Sequence, residues 1–285
     1  MMRIFSVLAV LMFPFFLYAQ IICSAEDQTL LKNQLEEIAQ LSFDSASSGE
    51  VAAMIGKRFL GTPYVGKTLE VGENESLVIN LHGLDCTTFL ENVVVLTRLQ
   101  QRQDLNVAAF QRALTELRYR SGTLDGYPSR LHYFSEWLID NEKKGWIENI
   151  TLDIGGIPYE KQINFMSTHR SSYSRLERND ANWQDIREVE VRLNQQSFFY
   201  IPKGYIRNLE NNIETGDLIA ITTSINGLDI VHTGFAYRKN GRIHLLHAST
   251  GSKQVEISAK PLFEYMAGIR HQSGIMVARL NTPRE

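Results

Sequence analysis

The chain has 285 residues, 44% hydrophobic and 21% charged, with a formal charge of −3 and a pI near 6.2. That length and balance suit one sizeable globular domain, or a domain with a large insertion. The mildly acidic charge gives no reason to expect a nucleic-acid partner.

Met1-Met2-Arg3 is a short basic start, and Ile4 to Ala19 is an apolar run broken by Pro14. Cys23-Ser24-Ala25 puts small residues at the −3 and −1 positions of a cleavage site. Residues 1–25 therefore read as a secretory signal peptide cut after Ala25, with Ala19 as second choice. A retained membrane anchor and a lipid-modified Cys23 are the alternatives; the bulky Ile22 disfavours the second. Cleavage after Ala25 leaves Cys86 as the sole cysteine of a mature domain at 26–285. Exported proteins usually pair their cysteines or avoid them. A lone thiol is then an inert buried residue or a nucleophile.

From Glu26 to about Arg58 the chain is polar and helical. Leu30, Leu31, Leu35, Ile38 and Leu41 recur at helical spacing, and Val51, Met54, Ile55 and Phe59 do so again after Ser47-Ser48-Gly49. Gly61-Thr62-Pro63-Tyr64 breaks the pattern, and Leu77-Val78-Ile79 is a short strand candidate. A helix is predicted to start at or beside Cys86, with Asp85 just before it, and to run to about Gln101 through Val93, Val94, Leu96 and Leu99. Helices follow at 105–120 and Ser129–Lys143, then a strand at Asn149–Ile154, a mixed polar stretch over 158–180, a helix over Asn182–Gln195 and a strand at Ser197–Ile201. From Thr215 the texture is strands and turns: Leu218–Thr223, Ile230–Arg238, Arg242–Ala248, Val255–Ile257 and Gly274–Leu280. Asn226-Gly227 and Asn240-Gly241 are hairpin signals. Helices first and an antiparallel meander after make the class α+β.

A thiol at a helix start gains from the unpaired N–H groups and the positive dipole end, which favour thiolate. The histidines can be placed by strand alternation. With Asn240-Gly241 as a two-residue loop, Lys239 faces Arg242, Gly234 faces His247 and His232 faces Ser249. His232 and His247 then share one sheet face as diagonal neighbours, and His244 falls on the other with Phe235 and Tyr237. Cys86 as nucleophile, His232 as base and His247 as the group orienting His232 fill the roles of a thiol hydrolase.

Leu84-Asp85-Cys86-Thr87-Thr88-Phe89, His232-Thr233-Gly234-Phe235-Ala236-Tyr237, Asn240-Gly241 and His247-Ala248-Ser249 together resemble the NlpC-type, papain-like cysteine peptidases of bacterial cell walls. Gly61-Thr62-Pro63-Tyr64 resembles the stretch preceding the family's cysteine. The resemblance covers about 61–101 and 213–280. It implies a papain-like antiparallel sheet packed on a Cys-bearing helix, with catalytic Cys86, His232 and His247 and no metal or other cofactor. Thr87-Thr88 stands where the family has Ser-Gly, and the span from Cys86 to His232 is longer than usual. That mainly helical insertion, about 102–212, is centred on Tyr127-Pro128-Ser129-Arg130-Leu131-His132-Tyr133. It looks like the branch associated with N-acetylmuramoyl-L-alanine amidase activity.

The resemblance implies cleavage between N-acetylmuramic acid and L-Ala in a muropeptide, in the periplasm. It implies a monomer with no stable membrane insertion once the signal is removed. Arg130, His132 and Tyr133 are expected to meet stem carboxylates or sugar, with helix packing as the competing role. Asp85 caps the helix or polarises the site, and Tyr64 serves the substrate or the turn. The alternatives are a D-glutamyl-diaminopimelate endopeptidase, a zinc enzyme using the same three residues, a non-catalytic cell-wall binding module and an acyltransferase.

Overall fold

The structure is a computed structural model, and residues 20–43 and 45–283 are described. Of the expected signal peptide, 1–25, residues 1–19 lie outside them. Strand β1 (Ile21–Cys23) pairs in parallel with β2 (Leu77–Ile79). Helices α1 (Ala25–Ala39) and α2 (Ser48–Lys57) lie between them in sequence. The Ser24 side chain accepts from Asp27 N–H and caps α1. β1 and the Ser24 cap both precede residue 26, so a domain starting there would lack them.

Helix α3 (Cys86–Gln101) is the central element, buried from Thr88 to Gln100. It starts where it does because Asp85 and Thr88 form a reciprocal capping box. Helices α4 (Val107–Arg118) and α5 (Phe134–Lys143) and strand β3 (Ile147–Asn149) follow. Arg118 forms an ion pair with Glu91 of α3 at 2.7 Å, and also donates to Val78 O. Both charged side chains are almost wholly buried, which ties α3, α4 and β2 together.

Next come β4 (Ile157–Pro158), α6 (Phe165–Thr168), α7 (Ser174–Glu177), α8 (Asp180–Leu193), β5 (Phe199–Pro202) and α9 (Ile206–Leu209). The last part is β6 (Leu218–Thr223), β7 (Ile230–Lys239), β8 (Arg242–Ser249), β9 (Gln254–Ile257), α10 (Leu262–Ala267) and β10 (Gln272–Leu280). One antiparallel sheet runs β4-β5-β10-β6-β7-β8-β9, with β3 also on β10. The fold is mixed, with helices and an antiparallel sheet, as α+β requires.

Alternation along the strands sends Leu218, Ala220, Phe235, Leu246, Met276 and Ala278 to the layer shared with α3. Ile219, Ile221, Ala236, Ile243, Leu245 and Val277 enter a second layer with Leu262 and Met266 of α10. The stretch 102–212, expected to be an insertion, is built into the fold: β3 and β5 join the main sheet, and a third core gathers Tyr127, Tyr133, Met166, Leu176 and Ile186.

Three sequence readings change. The strand expected at Asn149–Ile154 ends at Asn149, because Asn149 Oδ1 accepts from Thr151 N–H and hydroxyl and turns the chain. Asn226-Gly227 is not a two-residue hairpin loop; Gly227 O instead accepts from Asn164 and Phe165 N–H. The helix placed over Ser129–Lys143 starts at Phe134, after a short 3-10 turn at Tyr127–Ser129.

Candidate active site

Cys86 is the first residue of α3 and is half-buried. Asp85 Oδ1 accepts from Thr88 N–H at 2.8 Å, and Thr88 Oγ1 accepts from Asp85 N–H at 2.9 Å. The cap anchors the helix end, so the thiol has a fixed point of departure.

The hairpin pairs Lys239 with Arg242 and Phe235 with Leu246, the register expected from Asn240-Gly241. A Cβ on Gly234 would lie 2.8 Å from Leu246 O and 2.9 Å from His247 Cβ, so glycine is what lets His247 approach β7. His232 Nε2 and His247 Nδ1 are 2.5 Å apart, with their rings edge to face at 4.8 Å. His244 is on the other face, where its Nδ1 donates to Ser258 O at 2.8 Å.

Cys86 and His232 line one cavity of about 170 Å³, together with Thr87, His132, Tyr133, Tyr173, Asp229 and Thr233. Larger clefts lie elsewhere, but among the described residues none of them joins a thiol to an imidazole. His247 stands behind His232, fully buried, with the Tyr265 ring of α10 against it at 5.4 Å.

Burial fixes the charge states. It pulls His232 down to about 4 and His247, which also feels His232, to about 3. Both imidazoles are therefore neutral at pH 7. Burial pushes the Cys86 thiol up, and the Asp85 carboxylate adds to this; the Thr233 N–H acts the other way. The helix-end preference for thiolate is thus outweighed, and at rest the cavity holds a thiol and a neutral imidazole. Burial and the nearby charges of Cys86 and Asp85 raise the Tyr64 phenol to about 12, so it stays a hydroxyl donor beside the thiol.

His132 and Tyr133 are on the cavity wall, each held by the insertion. His132 Nε2 donates to Tyr127 O at 2.8 Å, while burial and Arg130 keep the ring neutral. The Tyr133 hydroxyl donates to Glu190 at 2.7 Å and accepts from Met166 N–H at 2.8 Å. Arg130 does not line the cavity. Its guanidinium is buried against Glu70 and, at 3.4 Å, Glu75; these carboxylates overcome the burial that opposes its charge and hold its pKa above the usual range. Arg175 joins the same network through Glu75 at 3.0 Å. Asp229 and Tyr173 were not singled out from the sequence. Asp229 accepts from Ser135 N–H at 2.8 Å, and burial raises its carboxyl.

Among the described residues, no group of three or more His, Cys, Asp and Glu could hold a metal ion. No described helix is long and apolar enough to cross a membrane.

Comparison with known proteins adds the family. The AmiA-like, N-acetylmuramoyl-L-alanine amidase-like family matches residues 54–275. A solved N-acetylmuramoyl-L-alanine amidase from Bacteroides uniformis is 33% identical, with a TM-score of 0.79 over 82% of this chain and 99% of that one. A Bacteroides fragilis structure provisionally named a xylanase is 35% identical, with a TM-score of 0.74 over 79% and 99%. A Legionella pneumophila structure shares the fold at 21% identity, with a TM-score of 0.69 over 90% and 97%. Comparison with curated proteins gave no match. With more than half its length matched by that family, this chain belongs to the AmiA-like, N-acetylmuramoyl-L-alanine amidase-like proteins.

Proposed function

We propose that the chain is a cysteine-dependent N-acetylmuramoyl-L-alanine amidase of the papain-like, NlpC type. It cuts the amide between N-acetylmuramic acid and L-Ala in muropeptides. The observation that carries this reading is the line from Cys86 through His232 to His247, with the first two on one cavity and the last two at 2.5 Å.

One nitrogen of His232 is committed to His247, so Nδ1 is the nitrogen free to act on the thiol. The thiol proton moves to Nδ1 as sulfur attacks the carbonyl, and the same nitrogen returns it to the departing amine. Water then releases the acyl group from sulfur by the reverse exchange. Tyr64 donates its hydroxyl beside the sulfur. His132 and Tyr133 shape the wall that meets stem or sugar, with Arg130 bracing them from behind and Asp85 acting through the helix cap. Glycoside hydrolysis by a xylanase takes a pair of carboxyl groups across the bond; this cavity offers one, Asp229.

The same reading has the chain exported to the periplasm as a monomer. Residues 1–19 are the signal peptide, cut after Ala19, since that site leaves β1 and the Ser24 cap in place.

The test is mass spectrometry of defined muropeptides incubated with the wild type and Cys86→Ala. Release of a stem peptide beginning at L-Ala, lost in a normally folded Cys86→Ala, is the expected result. Cleavage inside the stem keeps the thiol chemistry and moves the bond to the D-glutamyl-diaminopimelate position. No Cys86-dependent product turns the reading toward acyl transfer or a binding module.

A further inference from the structure

His247 is fully buried, and its Nε2 has no hydrogen-bond partner among the described residues. Leaving a buried ring nitrogen unpartnered is unfavourable. Glu256 Oε1 stands 3.6 Å from it. The β8–β9 register sets Glu256 directly opposite His247, so the two side chains leave the same face of the sheet. Among the described residues, the rings packed on His247 are those of His232 of β7 and Tyr265 of α10. Among the described residues, His247 is the one basic side chain within ion-pair distance of Glu256.

Proton bookkeeping gives this neighbour a role. For His232 to accept a proton at Nδ1, its Nε2 must already carry one and donate it to His247 Nδ1. A neutral His247 then carries its own hydrogen on Nε2, the nitrogen beside Glu256. We propose that Glu256 is a positioning residue that fixes His247 in the Nε2–H tautomer and thereby keeps His232 Nδ1 free for the thiol proton. This rests on the thiol–imidazole reading of the site. At 3.6 Å the resting contact is too long for a hydrogen bond. It strengthens when positive charge forms on the imidazole pair, because attraction between opposite charges grows as they close. The proton leaves Cys86 Sγ and stops on the imidazoles; none passes to Glu256.

Alkylation of Cys86 by iodoacetamide tests this without assuming a substrate, with peptide mapping to separate Cys86 from Cys23. At pH 7, Glu256→Gln should slow Cys86 alkylation roughly fivefold to tenfold, since a change of one pKa unit in the pair is tenfold in equilibrium. The melting temperature should stay unchanged, and Glu256→Asp should restore part of the rate. In a His247→Ala background, Glu256→Gln should have no further effect, because the carboxylate acts through that ring. An unchanged or faster alkylation in Glu256→Gln overturns the proposal, as does an undiminished loss in the His247→Ala background. A protein that shows the expected pattern yet cuts no muropeptide keeps the role of Glu256 and loses only the substrate reading.

Discussion

His232 Nε2 meets His247 Nδ1 at 2.5 Å, although the two residues are fifteen positions apart and joined by a hairpin turn. The contact is made by register and by a missing side chain. The strands pair so that the two rings leave one face, and Gly234 removes the Cβ that would hold them apart. A nitrogen used in this way is closed to substrate; on the proposed function His232, the ring that lines the Cys86 cavity, does the chemistry and His247 supports it.

Their substitutions should therefore differ in cost. His232→Ala removes the base and is expected to lower kcat by about 10³-fold, within the usual range for general-base loss. His247→Ala should cost about 10- to 100-fold, because His232 stays in place with less control of its tautomer. Steady-state kinetics on one muropeptide decides the order, and a larger loss for His247→Ala would reverse the two roles.

The pair should also make the fold acid-sensitive. Burial holds His232 at about 4 and His247 at about 3, below the unfolded value near ~6.5. As pH falls below about 6.5, the unfolded chain takes up protons that the folded chain refuses. This contribution to stability is therefore complete above about pH 6.5 and is lost as pH drops toward 4. Between pH 6.5 and 5 the loss is roughly 2 kcal/mol for one such histidine. Thermal melts at pH 7 and pH 5 should show it, and a His232→Gln/His247→Gln double variant should show a flatter pH dependence. Equal pH slopes would place the acid sensitivity elsewhere.

Asp85 separates cap from charge. Asp85→Asn keeps an acceptor for Thr88 N–H and removes the negative charge that helps hold the Cys86 thiol up. Cys86 should then alkylate faster at pH 7, with little change in melting temperature. Asp85→Ala should lose the cap as well, at about 1 kcal/mol. Slower alkylation in Asp85→Asn would show that the carboxylate assists the thiol instead of opposing it.

The N-terminal boundary can be tested on two recombinant chains, one starting at Gln20 and one at Glu26. The shorter lacks β1 and the Ser24 cap, so its melting temperature should be lower, with at least the ~1 kcal/mol of a lost cap. The intact mass of the exported protein reports the cleavage site itself. A mass matching cleavage after Ala25, with full stability, would set the domain at 26–285.

Strong local signals were readable in advance. Leu77-Val78-Ile79 forms β2 as expected, Asp85 and Thr88 start α3 at Cys86, and Asn240-Gly241 sets a register that places three histidines on their correct faces. What could not be read depends on partners distant in sequence. Ile21–Cys23 forms a strand by pairing with β2, a partner distant in sequence. Asn226-Gly227 has the composition of a tight hairpin, but its backbone is taken by Asn164 and Phe165. Arg130 lies in a motif rich in recognition-type side chains, yet carboxylates sixty and fifty-five positions earlier enclose it. Asp229 and Tyr173 carry no local signature, and only the folded cavity identifies them.

The network of Glu70, Glu75, Arg130 and Arg175 ties the segment ahead of Cys86 to two parts of the insertion. Walls from residues 86–87, 132–134, 166, 173 and 228–233 close around the thiol only after those long-range pairings exist. Contacts between distant stretches form late in folding. A nascent chain therefore carries its cysteine without these walls until the last strands are in place. On the proposed function, the thiol gains its working surroundings only as the fold is completed.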